Sequence, residues 1–369
     1  MHYIGIDAHK ESCQATVMDD DGRTIERKKI PTDMTELKKF FSRYRKSRAV
    51  VEACPVWEVV YEAGRQAGVE VVLANPGQVK AISQARVKTD KVDSETLAHL
   101  LRTDMVPESY IAPAWVRELR RDLRGRMHLQ KTVVAIRNQL YSEMMRKGIK
   151  YKRECLKTKK GRDALRETLP IPRVLRRLDI LEALEKELKD YNAELLMPAY
   201  IENEKAQFLA TIDGVGFYTS LTVVAELGDV HRFPDSDSVV SYTGLAPWIR
   251  QSGSVTRLGH ITKAGPHNLR WVLIEATHSH LRFCKAKDEC RLCQFYQRLE
   301  KKRGGNIAIV ATAAKLLRIM YWMLKLNRPY QPQGLDPGRT HEGEPRWSVL
   351  DAEAEQTIPA PGVGPRQNP

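Results

Sequence analysis

Two hydrophobic rhythms run along the chain, and one gives way to the other near residue 110. Before that point, short apolar runs separated by turn residues predict strands. "YIGIDAH" is one, and "SCQATVMDDDGRTIERKKI" is two more, joined at "DDDG". "TDMTELKKFFSRYRKS" then sets apolar residues at helical spacing behind Thr32 or Asp33 as N-cap. "RAVVEACP" predicts a buried strand, "VWEVVYEAGRQAG" a helix ended by glycine, and "VEVVLANP" a further strand. Three meandering strands followed by alternating strand and helix suit an α/β domain with a mixed sheet and helices packed on it.

Beyond 110 the helical rhythm dominates. "WVRELRRDLRGRMHLQKTVVAIRNQLYSEMMRKG" lacks proline and predicts one long basic helix. "KYKRECLKTKKGRD" reads as a basic connector and "VLRRLDILEALEKELKDYNAELL" as a second amphipathic helix, so the long helices predict an antiparallel or intermolecular coiled coil. In "FLATIDGVGFYTSLTVVAELGD" a Gly-Val-Gly lies between two helical stretches. Such a turn suits a helix-hairpin-helix, whose backbone N–H groups approach a phosphate, and equally an ordinary tight turn. "SVVSYTGLAPWIRQSGSVTRLGHITKAGPHNLRWVLIEATHSH" reads as a polar, glycine-punctuated loop and then an apolar helix; "NIAIVATAAKLLRIMYWMLK" closes the folded part. The expected organisation is an α/β domain at 1–110, a basic helical coiled-coil region at 111–205, a mainly helical domain at 206–327 and a disordered Pro- and Gly-rich tail at 328–369.

Charge sharpens this outline. A net charge of +14 favours polyanionic partners, nucleic acid first, through release of condensed counterions. The density of lysine and arginine between Arg117 and Arg162 makes that segment the expected contact. No uninterrupted apolar run of about 18 residues and no signal-like N-terminus is evident, so no membrane partner and an intracellular location are expected. The six cysteines are too scattered for a disulfide framework. "CKAKDECRLC" holds one CxxC, Cys290 to Cys293, with Cys284 upstream and no second pair to complete a tetrahedral site. His278 and His280 stand near enough to join, but the expectation is no zinc.

Four acids occupy suggestive places. Asp7 and Glu52 end predicted strands, and Asp90 and Asp93 begin a helix three residues apart, about 5–6 Å between Cβ atoms on one face. Singly, each also suits a turn, an ion pair or an N-cap. Together they predict an oxygen-rich pocket for a hard divalent cation, Mg²⁺ or, as a substitute, Mn²⁺, of the kind that activates a phosphodiester. The opening "GID" is shared by actin-like ATPases and sugar kinases. Those need a glycine- and hydroxyl-rich phosphate turn next, where this chain has "AHKES".

"GIDAHK", "VVEA" and "KTDKVDSETLAHLL" resemble the RuvC-like, RNase H-fold motifs of the insertion-sequence-110-type DEDD transposases, recombinases guided by a bridge RNA. "IDGVG", "YTGLAPWIRQSGSVTRLGHITKAGPHNLRWVLIEAT" and "GGNIAIVATAAKLL" resemble the family's C-terminal transposase domain, so the likeness spans nearly all of residues 1–326. The resemblance implies that Asp7, Glu52, Asp90 and Asp93 form a catalytic, Mg²⁺-binding acidic tetrad. It also implies a serine nucleophile, Ser252 with Ser254 as the near alternative, which forms a phosphoserine link to DNA in a composite site between protomers. Donor and target DNA, a structured guide RNA, a homodimer or homotetramer and a bacterial cytoplasmic, nucleoid-associated location belong to the same implication. Arg257, His260 and Lys263 follow the serines and are candidate phosphate contacts without assigned roles. The alternatives are a RuvC-like metal-dependent nuclease using water and a non-catalytic nucleic-acid-binding protein.

Overall fold

Every strand predicted in the first hundred residues enters one five-stranded sheet in the computed structural model, which describes residues 1–82, 90–150, 152, 154–252 and 255–331. The chain folds as two units that meet in sequence between Ala112 and Pro113. In the first, β1 (Tyr3–Ala8), β2 (Ser12–Met18) and β3 (Thr24–Pro31) form an antiparallel meander. Helix α1 (Met34–Phe41) follows, and its N-cap is Asp33, whose carboxylate accepts from the N–H groups of Thr35 and Glu36. Then come β4 (Arg48–Glu52), α2 (Trp57–Ala67) ended by left-handed Gly68, β5 (Glu70–Ala74), α3 (Pro76–Ile82) and α4 (Asp90–Arg102). The strand order is β3-β2-β1-β4-β5, with β4 parallel to both β1 and β5.

Side chains alternate across this sheet and build two layers. Ile4, Ile6, Ala49 and Val51 pack with Leu37, Phe40, Phe41 and Val60 on the α1/α2 face. Val50, Val72 and Ala74 pack with Leu97, Leu100 and Leu101 of α4 on the other. The α4 backbone lies directly on β1, because a Cβ at Gly5 would stand 2.0 Å from the Ser94 carbonyl oxygen and 2.5 Å from the Ala98 nitrogen. A buried hydrogen bond of 2.8 Å between the Thr16 and Ser94 hydroxyls fixes the same helix against β2.

The second unit is mainly helical: α5 (Ala114–Arg146), α6 (Lys159–Thr168), α7 (Pro172–Tyr191), α8 (Met197–Ile201), α9 (Glu204–Leu209), α10 (Phe217–Leu227), α11 (Ser236–Thr243), the hairpin β6 (Pro247–Ser252) and β7 (Val255–Ile261), then α12 (His267–Phe283), α13 (Arg291–Arg303) and α14 (Gly305–Leu326). The two long helices, α5 and α7, pair antiparallel within the chain. Glu143 near the end of α5 meets Arg173 and Arg177 at the start of α7, and the Asp122 carbonyl accepts from Tyr191 at the other end. Helix α5 serves two cores. Leu119, Leu123 and Met127 join the core of α10, α12 and α14, whereas Val133, Leu140 and Met144 pack on Val174, Leu178 and Leu181 of α7.

Three expectations need correction. The basic connector carries α6, because Leu165 can bury against the α5–α7 pair while Arg162 donates to the Leu156 carbonyl at 2.7 Å. The polar stretch after "GLAP" is a β-hairpin, not a loop; Trp248 lies across Gly259 of the facing strand, where a Cβ would stand 2.0 Å from the indole. The stretch read as tail from 328 opens with packed chain, since Tyr330 lies against the helical core; residues 332–369 lie outside those described. Helix α14 is long and apolar enough to cross a membrane by length and composition. It is instead a core helix: Leu316, Leu317, Met320 and Tyr321 are fully buried, and buried Arg318 donates to Asp237 at 2.6 Å.

Gly5→Ala should displace α4 and lower the thermal midpoint of the first unit. Overpacking of this kind costs about 1–3 kcal/mol or more. Thermal denaturation of the full chain checks it, and an unchanged midpoint would show that the helix yields freely.

Candidate active site

Asp7, Asp90 and Asp93 come near one another, with Glu52 on the strand beside Asp7, because of how β1, β4 and α4 meet. The last register pair between the parallel strands is Ile6 with Val51, so Asp7 and Glu52 are the next residue on each. Both follow, two positions on, residues that face α4 (Gly5 and Val50), so alternation puts them on the α4 side of the sheet edge. Helix α4 begins there with Asp90 and, one turn on, Asp93.

His9 ties the cluster together. Its Nε2 lies 3.1 Å from an Asp7 carboxylate oxygen and 3.6 Å from one of Asp90, and the ligand atoms of Asp7, His9 and Asp90 all fall within 4.8 Å of one another. Burial pushes the Asp7 carboxyl above the usual carboxylate range; His9 pulls it down, and the negative charges of Asp90 and Asp93 push it up again. A half-buried carboxylate among like charges is stabilised by a cation at its oxygens. The donors are hard carboxylate oxygens with open solvent beside the exposed Asp90, which fits a hydrated hard divalent ion. His9 was missed in the sequence, although "DAHK" places it two residues past Asp7.

Ser252 belongs to the other unit. Its backbone ends β6 and pairs with Val255 across the hairpin tip, while Ser254 lies outside the described residues. The hairpin base is held by Arg270, whose guanidinium donates to the carbonyls of Thr243 (2.9 Å), Gly265 (3.0 Å) and Ala264 (3.3 Å). His260 and Lys263 are exposed on the strand and turn that lead to this base.

The basic segment divides by residue type. Its arginines are largely engaged inside the unit: Arg120 and Arg124 pair with buried Glu226, Arg137 and Arg162 share Glu185, and Arg126 stacks 4.2 Å from the centre of the Tyr218 ring. Much of the density that suggested a polyanion contact is therefore internal pairing between helices. The exposed lysines remain, among them Lys147, Lys150, Lys152, Lys157, Lys159 and Lys160, which form no ion pair among the described residues.

Comparison with known proteins places the chain in a family. Residues 4–146 match the family model of the IS110-type DEDD transposases, and residues 206–291 match that of the transposase IS116/IS110/IS902 family. The chain is 26% identical to a probable family 20 transposase of Pseudomonas aeruginosa, over 89% of this chain and 98% of that protein. It is 27% identical to the transposase for insertion sequence element IS1111A of Coxiella burnetii, over 89% and 91% respectively. A pilin gene-inverting protein of Moraxella bovis is 33% identical over 35% of this chain and 39% of its own length. Together the two matched regions span more than half of the sequence and include the acidic edge and the serine hairpin. The chain belongs to the IS110-type DEDD transposases, enzymes of DNA transposition and recombination.

Proposed function

We propose that this transposase cleaves and rejoins DNA strands site-specifically at the ends of an insertion sequence, with Asp7, Glu52, Asp90 and Asp93 as its metal-binding acids and Ser252 as its nucleophile. The observation that carries the reading is the approach of the Asp7, His9 and Asp90 ligand atoms to within 4.8 Å at the edge of a mixed sheet whose order, β3-β2-β1-β4-β5, suits an RNase H-like domain. The relatives support rearrangement over simple degradation, since one is named a transposase for an insertion element and another a gene-inverting protein.

The chain's own groups have distinct tasks in this reading. Asp7, Glu52, Asp90 and Asp93 hold Mg²⁺, which when bound supplies Lewis-acid polarisation of a phosphate oxygen. His9 orients Asp7 through its 3.1 Å contact. The Ser252 hydroxyl attacks phosphorus, losing its proton to a base or solvent as the bond to the leaving sugar oxygen breaks, and that oxygen takes up a proton. The phosphoserine ester conserves the phosphodiester linkage, so rejoining needs no nucleotide. Strand exchange between duplexes requires several such centres, hence a dimer or tetramer. The exposed lysines around α6 hold nucleic-acid backbone, in DNA or in a structured guide RNA, in the bacterial cytoplasm where the nucleoid lies.

Asp7→Asn should reduce recombination to background while nucleic-acid binding persists; full activity in that variant would remove the acids from the mechanism. Ser252→Ala should leave no DNA on the protein after denaturation, and peptide mapping of a trapped wild-type adduct should find it on Ser252. An adduct on Ser254 moves the nucleophile by two residues. Metal-dependent cleavage that persists without any adduct in both serine variants identifies a water-using nuclease. Replacing Lys157, Lys159 and Lys160 with Ala should weaken binding and flatten its salt dependence by up to about 0.9 in log–log slope for each phosphate that is no longer neutralised. An unaltered slope would make α6 a spacer.

A further inference from the structure

Away from the acids, the second unit buries a compact cluster of soft ligands. His280 lies in the last turn of α12, Cys284 caps that helix, Cys290 is the N-cap of α13 and Cys293 sits in its first turn. His280 and Cys290 are fully buried, and Cys284 and Cys293 nearly so. Their ligand atoms all lie within 4.8 Å of one another, with His280 Nε2 only 3.3 Å from Cys290 Sγ. A tetrahedron with zinc–sulfur bonds of about 2.3 Å and a zinc–nitrogen bond of about 2.0–2.1 Å sets its ligand atoms about 3.5–3.8 Å apart, so small side-chain rotations complete it.

Buried thiols alone are commonly just small apolar side chains. The histidine argues otherwise. Its Nδ1 lies 2.7 Å from the Asp213 backbone carbonyl, which can only accept, so Nδ1 carries the proton and the Nε2 lone pair points at the thiols. That outer hydrogen bond is the arrangement that orients metal-binding imidazoles. Asp213 is held in turn, its carboxylate accepting from the Lys285 N–H at 3.1 Å. Gly214 beside it has φ +84° and presses on the start of His280, where a Cβ would stand 2.4 Å from the backbone nitrogen. The "IDGVG" turn is thus seated against α12, and its first glycine serves a protein contact. Tyr330 closes the cluster from outside, its hydroxyl 3.4 Å from Cys290 Sγ and its ring edge-on to His280. His278, the other histidine considered from sequence, is exposed and does not join.

We propose that His280, Cys284, Cys290 and Cys293 form a closed Cys₃His zinc site that locks the end of α12 to the start of α13. Three thiols and a neutral imidazole fill all four positions, leaving none for water or substrate, so the site is structural. Zinc binding displaces the three thiol protons to solvent and leaves three thiolates on the ion; no redox change is involved.

The test is the metal content of the full-length protein, purified in reducing buffer without chelator or added zinc. Plasma mass spectrometry should find one zinc per chain, and a mercurial thiol reagent should release it to a chromophoric chelator. Cys293→Ser and His280→Ala should lose that zinc, whereas His278→Ala and Asp7→Asn should keep it. Should the cysteine variants fail to fold, Co²⁺ substituted into the wild-type chain should give the intense visible absorption of a tetrahedral thiolate site. Folded wild-type protein without stoichiometric zinc, with iron in its place, or with a disulfide between two of these cysteines would overturn the assignment. So would full zinc retention in Cys293→Ser.

Discussion

The absence of a side chain at Gly5 is the constraint on which the acidic edge depends. Strand β1 can carry an α-helix directly on its backbone only there, and the contact with Ser94 and Ala98 sets both the height and the rotation of α4. Rotation decides which side of the helix meets the sheet; height decides where its first turn ends up. With Ser94 beside Gly5, the helix start reaches past the strand end, and Asp90 arrives at Asp7 although 83 positions of sequence separate them. The Thr16–Ser94 hydrogen bond resists sliding, because a shift of one residue would bury two unpaired hydroxyls.

Much of this was legible in the sequence, for reasons visible in particular residues. The strands of the first unit are short, β-branched and bounded by turn residues, and Asp33 is an N-cap by side chain as well as by position. The acids could be grouped because strand ends and helix starts are places where a carboxylate can be presented without being buried. His9 was not legible as a partner of Asp90, because only the tight return from β1 to β2 swings it back over the strand end, through hydrogen bonding between His9 and Ser12.

In the second unit, pattern reading failed where two elements of unlike rhythm share one surface. The hairpin strands are polar and glycine-bearing, and Trp248 supplies packing across Gly259 that alternation does not reveal. The arginines of α5 look like a polyanion-binding stripe because charge counts do not see Glu143, Glu185 and Glu226, which lie far along the chain or on the inner face. Arginine suits that internal role, since its planar fork can bond two carbonyl or carboxylate groups at once, as Arg120 does with Ala225 and Glu226. The lysines around α6, point charges on flexible stems, stay outside, so in this segment the split between the two basic residue types marks the boundary between structure and available charge.

The same contrast of ligand chemistry separates the two places among the described residues where a metal fits. Carboxylates on an open edge select hard, hydrated ions and release them readily, whereas buried thiolates select zinc and hold it through the fold. A strong chelator does not respect that difference. It would strip the acidic edge at once and the thiol cluster as the helical core opens, so loss of recombination in chelator could follow from either. Restoration by Mg²⁺ alone, after brief exposure, reports the acids, because a hard ion cannot rebuild a site of three sulfurs. Activity that returns only when zinc is supplied as well reports the fold that carries the serine hairpin: α12 bears Arg270, which pins the hairpin base, and ends in His280.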